Sequence, residues 1–293
     1  MNEGVKQMEW IDRLNEVIQY IEQHLTDEQI NYDTLAAIAC CSTYHFQRMF
    51  TYMAGIPLSE YIRRRKMSLA AVQLQTTDEK IIDIALKFGY NSPTAFNRAF
   101  QNIHGLAPSA VRKSNVTLKS YPSITFKMII KGVEEMNYRI EKKEAFRIVG
   151  LASPLSNSIE ENFKEVPVLW QKLSEQNTIA RLMSLMDGQP MGLLGISTCS
   201  NLESWRYYIA VSSSQPALEG MEEAEIGAYT WAIFSGEGAC PQAIQALESR
   251  IVTEWLPTSG YEYDNGPDVE VYLTPDPANA KFEVWIPVKA KSS

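Results

Sequence analysis

The chain has 293 residues, 45% of them hydrophobic and 21% charged, with a formal net charge of −8. That length favours two domains over one, and the composition is that of an ordinary globular protein. No apolar run approaches the roughly 20 residues of a membrane-spanning helix, and the first ten residues lack a signal-peptide core. Four cysteines, two adjacent at Cys40 and Cys41, form neither a disulfide framework nor a zinc pattern. The three histidines, His24, His45 and His104, have no partners at metal-ligand spacing. A reduced cytoplasmic protein without membrane association, metal or cofactor is expected, and not an enzyme.

In chain order, residues 8–113 read as successive helices. Trp10, Leu14, Val17, Ile18, Ile21 and Leu25 recur at helical spacing. Further helices are expected over Asp33–Cys41, Ser42–Met53, Leu58–Leu74, Lys80–Phe88 and Ser92–Ile103, with a last turn from Pro108. Ser42 and Ser92 stand where helices start, and Gly55, Gly89 and Gly105 where they stop. Residues 42–113 hold ten basic and four acidic side chains, whereas residues 1–41 hold two and eight. A basic segment inside an acidic chain points to an anionic partner for that segment.

The segment is also internally repeated. "STYHFQRMFTYMAGIPLS" from Ser42 and "SPTAFNRAFQNIHGLAPS" from Ser92 share Ser42/Ser92, Phe46/Phe96, Arg48/Arg98, Phe50/Phe100, Gly55/Gly105 and Ser59/Ser109. Each copy follows a short helix, so the pattern is two helix-turn-helix units. Phe46, Met49, Phe50 and Met53 make one buried stripe, and Phe96, Ala99, Phe100 and Ile103 the other. Tyr44, Gln47, Arg48 and Thr51, and likewise Thr94, Asn97, Arg98 and Gln101, fall on the opposite faces. Side chains of these types at the start of an exposed helix can contact base edges in the major groove. Arg63, Arg64, Arg65 and Lys66, on the helix between the units, are candidates for phosphate contact.

After a polar stretch near 114–121, the pattern turns to strands. "FRIVGLASPL", "MGLLGISTC", "WRYYIAVSS", "GAYTWAIFSGEG", "DVEVYL" and "FEVWIPV" are strand-like, as is the earlier "ITFKMIIKG". Helices are expected over Ile159–Glu175 and Pro241–Trp255. The order is strand, helix, two strands, twice over, an α+β domain. Alternation puts Glu270 and Tyr272 on one side of their strand, and Glu283 and Trp285 on one side of theirs. Taken together they form a face of two carboxylates and several aromatics, to which Tyr229 and Trp231 add, with either Trp205 and Tyr207 from one side of their strand or Tyr208 from the other. Such a face suits a lipophilic cation, although Glu283 could instead pair with an arginine.

Two resemblances cover these segments. "STYHFQRMF", "PLSEYIRRRKM", "IIDIALKFGYNSPTAFNRAF" and "HGLAPSAVRKS" resemble the AraC-type DNA-binding domain throughout residues 8–113, with a departure at Pro93, where a polar residue is frequent. "FRIVGLASPL", "ENFKEVPVLWQKL", "EIGAYTWAIFSGEG", "DVEVY" and "FEVWIPVK" resemble the GyrI-like effector-binding domain. The expected architecture is an all-α double helix-turn-helix domain (1–113), a linker (114–121) and an α+β domain of two strand-helix-strand-strand repeats on an antiparallel sheet (122–293). The resemblance implies a transcription regulator that binds double-stranded promoter DNA and a small amphipathic or cationic effector, with RNA polymerase as a further partner. DNA contacts are expected from Ser42, Tyr44, Gln47, Arg48, Arg65, Thr94, Asn97 and Arg98. Effector contacts are expected from Glu270 at the centre, Glu283, Tyr272, and the aromatic walls Trp170, Tyr208, Tyr229 and Trp285. The alternatives are a hydrolase of small electrophiles using the cleft glutamate, and a C-terminal protein-docking module.

Overall fold

The computed structural model describes residues 10–27, 29–112, 116–127, 135–175, 178–199, 205–274 and 276–291. They fall into two compact units, Met1–Phe46 with Ala54–Met128, and Gln47–Met53 with Ile129–Ser293.

The first unit is helical. Its helices are α1 (Trp10–Gln23), α2 (Tyr32–Ile38), the start of α3 (Thr43–Ala54), α4 (Leu58–Thr76), α5 (Ile81–Lys87), α6 (Pro93–His104) and α7 (Pro108–Val111). The repeat is visible in the helix ends. The hydroxyls of Ser42 and Ser92 accept from the backbone N–H groups of His45 and Ala95, three residues on in each case. Gly55 and Gly105 close the two copies at φ of 68° and 79°, a region open to glycine at little cost. Pro93 occupies the first turn of α6, where the missing N–H costs no helical hydrogen bond. Around α6 the core comprises Met67, Ala70, Ala71 and Leu74 of α4, Ile84 of α5, Phe88 just after it, and Phe96, Phe100 and Ile103.

Residues 116–127 also pack on this unit, in no regular element. Asn15 on α1 donates to the Phe126 carbonyl at 3.0 Å and accepts from its N–H at 2.8 Å. The N–H of Tyr121 donates to Ser68 at 3.0 Å. Of the strand expected in "ITFKMIIKG", residues 124–127 are irregular and 128–132 lie outside the described residues.

Among the described residues, the second unit is a nine-stranded antiparallel sheet with helices. It contains β1 (Tyr138–Lys143), β2 (Phe146–Pro154), α8 (Ile159–Glu175), α9 (Thr178–Leu185), β3 (Leu193–Cys199), β4 (Trp205–Ser212), β5 (Glu222–Ile226), β6 (Tyr229–Gly238), α10 (Gln242–Arg250, continued by a wider turn over Ile251–Trp255 and a last α-helical turn over Leu256–Thr258), β7 (Tyr261–Tyr263), β8 (Asp268–Tyr272) and β9 (Ala280–Ala290). The strand order is β1-β6-β9-β8-β3-β4-β2-β5, with β7 pairing β9. The two strand-helix-strand-strand repeats, β2-α8-β3-β4 and β6-α10-β8-β9, therefore meet at β3 and β8 in mid-sheet. The sequence reading lacked β1, β5, β7 and α9.

Both faces of the sheet are packed, and the register says which residue is on which. On one face, Ala232, Phe234, Phe282, Val284, Ile286 and Val288 pack with Ile244, Ile251, Trp255 and Leu256 of α10 and its continuation. On the other, Trp231, Ile233, Trp285, Val269, Val271, Leu194, Ile196, Tyr208 and Ile148 form one cluster.

Candidate DNA-reading surface and effector site

In the second helix-turn-helix copy, Thr94, Arg98 and Gln101 are exposed and Asn97 is half-buried, while Phe96 and Phe100 are buried. A row of polar side chains thus stands along α6 opposite its apolar stripe. The first copy differs from expectation. Tyr44, Gln47 and Arg48 are only 8%, 4% and 9% exposed. Gln47 Nε2 donates to the Asn157 carbonyl at 3.3 Å, and the Arg48 guanidinium lies between Glu248 and Asp268, all within the second compact unit. Helical spacing says which residues share a face, but not whether that face meets water. Ser42 caps α3 with its hydroxyl.

The basic run on α4 is likewise committed. Arg65 donates to both oxygens of Glu22, the closest contact at 2.6 Å, and to the Tyr121 carbonyl. Lys66 is buried and donates to the carbonyls of Asp27 and Phe88, each at 3.1 Å. Burial pushes its pKa down. Arg63 and Arg64 both pair with Glu60. Arg65 and Lys66 brace the helical unit rather than standing ready for phosphate.

In the second unit, the register separates the expected effector residues into two groups. Glu270 on β8 is opposite Val284 on β9 and Gly195 on β3, and Tyr272 is opposite Phe282. Glu270 and Tyr272 therefore share the face that α10 packs on. Trp285 is opposite Val269, and Glu283 opposite Val271, so both lie on the other face. The sequence reading set the aliphatic sides of β8 and β9 on the same face. They lie on opposite faces, because the paired register offsets the two alternations by one residue.

Around Glu270 the polar groups converge. Glu270 Oε2 accepts from the hydroxyls of Tyr207 at 3.1 Å and Tyr272 at 3.0 Å. Trp170, on α8, donates from Nε1 to the Tyr207 hydroxyl at 2.9 Å, and its ring meets that of Tyr272 edge-on at 4.9 Å. Glu270, Tyr272 and Trp170 are half-buried, so the cluster retains contact with solvent. The tyrosine at this carboxylate is Tyr207 and not Tyr208. Burial, and then the Glu248 carboxylate, push the Glu270 pKa up to about 7, against the opposing pull of Arg48 and the two tyrosine hydroxyls.

Gly195, missed in the sequence, makes this arrangement possible. A Cβ there would lie 2.4 Å from the Tyr207 hydroxyl oxygen and 2.6 Å from Glu270 Oε2. Gly195→Ala is expected to destabilise the protein by about 1–3 kcal/mol through overpacking, measured by urea denaturation.

The opposite face holds the remaining expected walls. Tyr208, Tyr229, Trp231 and Trp285 lie there, with ring centroids 5.4 Å apart for Tyr229–Trp231 and 5.8 Å for Trp231–Trp285. Glu283 is held by Arg139 at 2.8 Å and by Trp285 Nε1 at 2.8 Å. Lys143 stands over the Trp285 ring and Arg206 over that of Tyr208, at 5.0 and 5.3 Å. The Glu283 charge is thus balanced from within the chain, whereas Glu270 accepts only neutral hydroxyls among its described partners.

Residues 139–288 match the family described as Cass2, integron-associated effector binding protein, and residues 35–114 match a helix-turn-helix domain family. The transcriptional activator AarP of Providencia stuartii is 39% identical over 102 residues, covering 35% of this chain and 75% of AarP. The chain is an AraC-type regulator with a GyrI-like effector-binding domain. The regulatory protein SoxS of Salmonella typhimurium is 40% identical over 96 residues, 33% of this chain and 89% of SoxS. Each of these relatives covers about a third of this AraC-type chain. A solved structure of a Staphylococcus aureus protein overlays at a TM-score of 0.46 with 22% identity, covering 53% of this chain and all of that one. Among the described residues, no helix is long and apolar enough to cross a membrane, and no cluster could hold a metal ion.

Proposed function

We propose that this AraC-type regulator reads promoter DNA mainly through Thr94, Asn97 and Arg98, and senses a lipophilic monocation at Glu270. It acts in the cytoplasm, with RNA polymerase as the partner that its promoter binding recruits or blocks. The observation that carries the effector reading is the Glu270 cluster: a half-buried carboxylate bound by neutral hydroxyls, with aromatic rings from Trp170, Tyr207 and Tyr272 beside it. A cation without hydrogen-bond donors gains there both the countercharge and the ring faces. Glu283 and its neighbours are set aside as effector contacts, because Arg139 already supplies the counter-ion.

The carboxylate must be ionised to attract a cation. With its pKa pushed up to about 7, affinity is expected to level off above that pH. Well below it, affinity falls about tenfold per pH unit, as protonation competes with the ligand. Isothermal titration of tetraphenylphosphonium into the full chain between pH 5 and 8.5 checks this. PH-independent binding, or binding that strengthens on acidification, contradicts it.

A further inference from the structure

Glu248 on α10 and Asp268 on β8 are 6% and 7% exposed. Buried carboxylates are costly unless a cation or several donors meet them. Here the two are met by one guanidinium. Arg48 Nη1 donates to Asp268 Oδ2 at 2.6 Å, and Nη2 donates to Glu248 Oε1. The remaining acceptors are also occupied. Tyr52 donates to Glu248 Oε2 at 2.5 Å, and Tyr263 donates to Asp268 Oδ1. Arg48, Tyr52, Tyr263 and the two acids all belong to the second compact unit. Two acids that each grip one arm of a fork, with a tyrosine fixing the other oxygen of each, form a built receptor for a guanidinium.

This receptor adjoins the effector carboxylate. Asp268 and Glu270 are two residues apart on β8 and share a face. The charges of Glu248 and Arg48 both act on Glu270. Arg48 is also the residue that the repeat places in register with Arg98.

We infer that Glu248 and Asp268 form an internal guanidinium site that withholds Arg48 from DNA, and that a cation at Glu270 weakens this hold. The inference rests on the DNA-reading and cation-sensing roles proposed above. A cation bound at Glu270 repels the neighbouring guanidinium. Conversely, Arg48 lowers the affinity of Glu270 for that cation, because coupling between two sites is reciprocal. When released, Arg48 adds one charged contact to the duplex.

The test uses the full chain and a labelled random-sequence 30-base-pair duplex, read by fluorescence anisotropy. Glu248→Gln with Asp268→Asn is expected to tighten DNA binding about fivefold or more, and to steepen the salt dependence by about one released counterion. Adding Arg48→Met in that background is expected to remove the gain. Unchanged affinity, or a gain that survives Arg48→Met and so reflects net charge alone, overturns the inference. Circular dichroism monitors folding, and Glu248→Gln alone serves if the double variant does not fold. In a second arm, Arg48→Met is expected to bind tetraphenylphosphonium several-fold more tightly than the natural chain. Equal or weaker binding overturns the coupling. A chain that binds no cation but shows the Arg48-dependent gain fails the effector reading and keeps the internal site.

Discussion

Glu270→Gln is expected to make the protein more stable at pH 8 while abolishing its binding of lipophilic cations. A carboxyl group raised from 4.5 to about 7 in the folded chain holds its proton more tightly when folded than when unfolded. Its ionisation therefore destabilises the fold. Stability is unaffected by the group below the unfolded pKa, falls as pH rises between the two values, and stays reduced above about 7. A gap of that size corresponds to on the order of 3 kcal/mol. Glutamine keeps an oxygen for the hydroxyls of Tyr207 and Tyr272 but carries no charge. The variant is thus expected to unfold several degrees higher than the natural chain at pH 8, and at about the same temperature near pH 4. Calorimetry at both pH values, with cation titration at pH 8, reads both effects. A variant less stable at pH 8, or one that still binds the cation, contradicts the assignment. A residue that costs stability and gains function is the pattern expected of a binding site rather than a packing position.

The second large effect contrasts two residues of α6. Phe96 is fully buried, with the rings of Tyr90 and Phe100 at 5.6 and 5.8 Å. Phe96→Ala removes that ring from a close-packed site and is expected to cost about 3–5 kcal/mol. DNA binding is lost with the fold of the helical unit. Arg98, two residues on, is exposed. Arg98→Ala is expected to leave the unfolding midpoint within about 0.5 kcal/mol of the natural chain. It is expected to weaken specific DNA binding by about 1–3 kcal/mol. Urea denaturation and anisotropy on the same preparations separate the two. Equal DNA affinity in Arg98→Ala, with the fold intact, removes α6 as the reading helix.

The helical part was legible because its signals are local. Serine caps, terminal glycines and phenylalanine spacing act within a dozen residues, and the duplication doubled each of them. Solvent access is not local, which is why Gln47 and Arg48 carried the right pattern for an outward face and yet are buried. In the sheet, alternation correctly paired Glu270 with Tyr272 and Glu283 with Trp285. It could not give the offset between strands, which backbone pairing sets. That one-residue offset separated the two glutamates onto opposite faces. Alternation left Tyr207 and Tyr208 open, and it is the pairing of β3 with β4 and β8 that places Tyr207, rather than the Tyr208 implied by the resemblance, on the Glu270 face. Gly195 carried no signal at all, because its importance lies in the Cβ it lacks beside a side chain 75 positions away. Strands β1 and β5, at the two edges of the sheet, are charged and short, so their hydrophobic pattern was too faint to read.

The most direct measurement is a crystal structure of the full chain with tetraphenylphosphonium at pH 8. The cation is predicted to lie against Glu270, with Trp170, Tyr207 and Tyr272 as its aromatic contacts. A cation seated against Trp285 and Tyr229 on the opposite face, with the Tyr207–Glu270–Tyr272 hydrogen bonds undisturbed, would contradict the assignment.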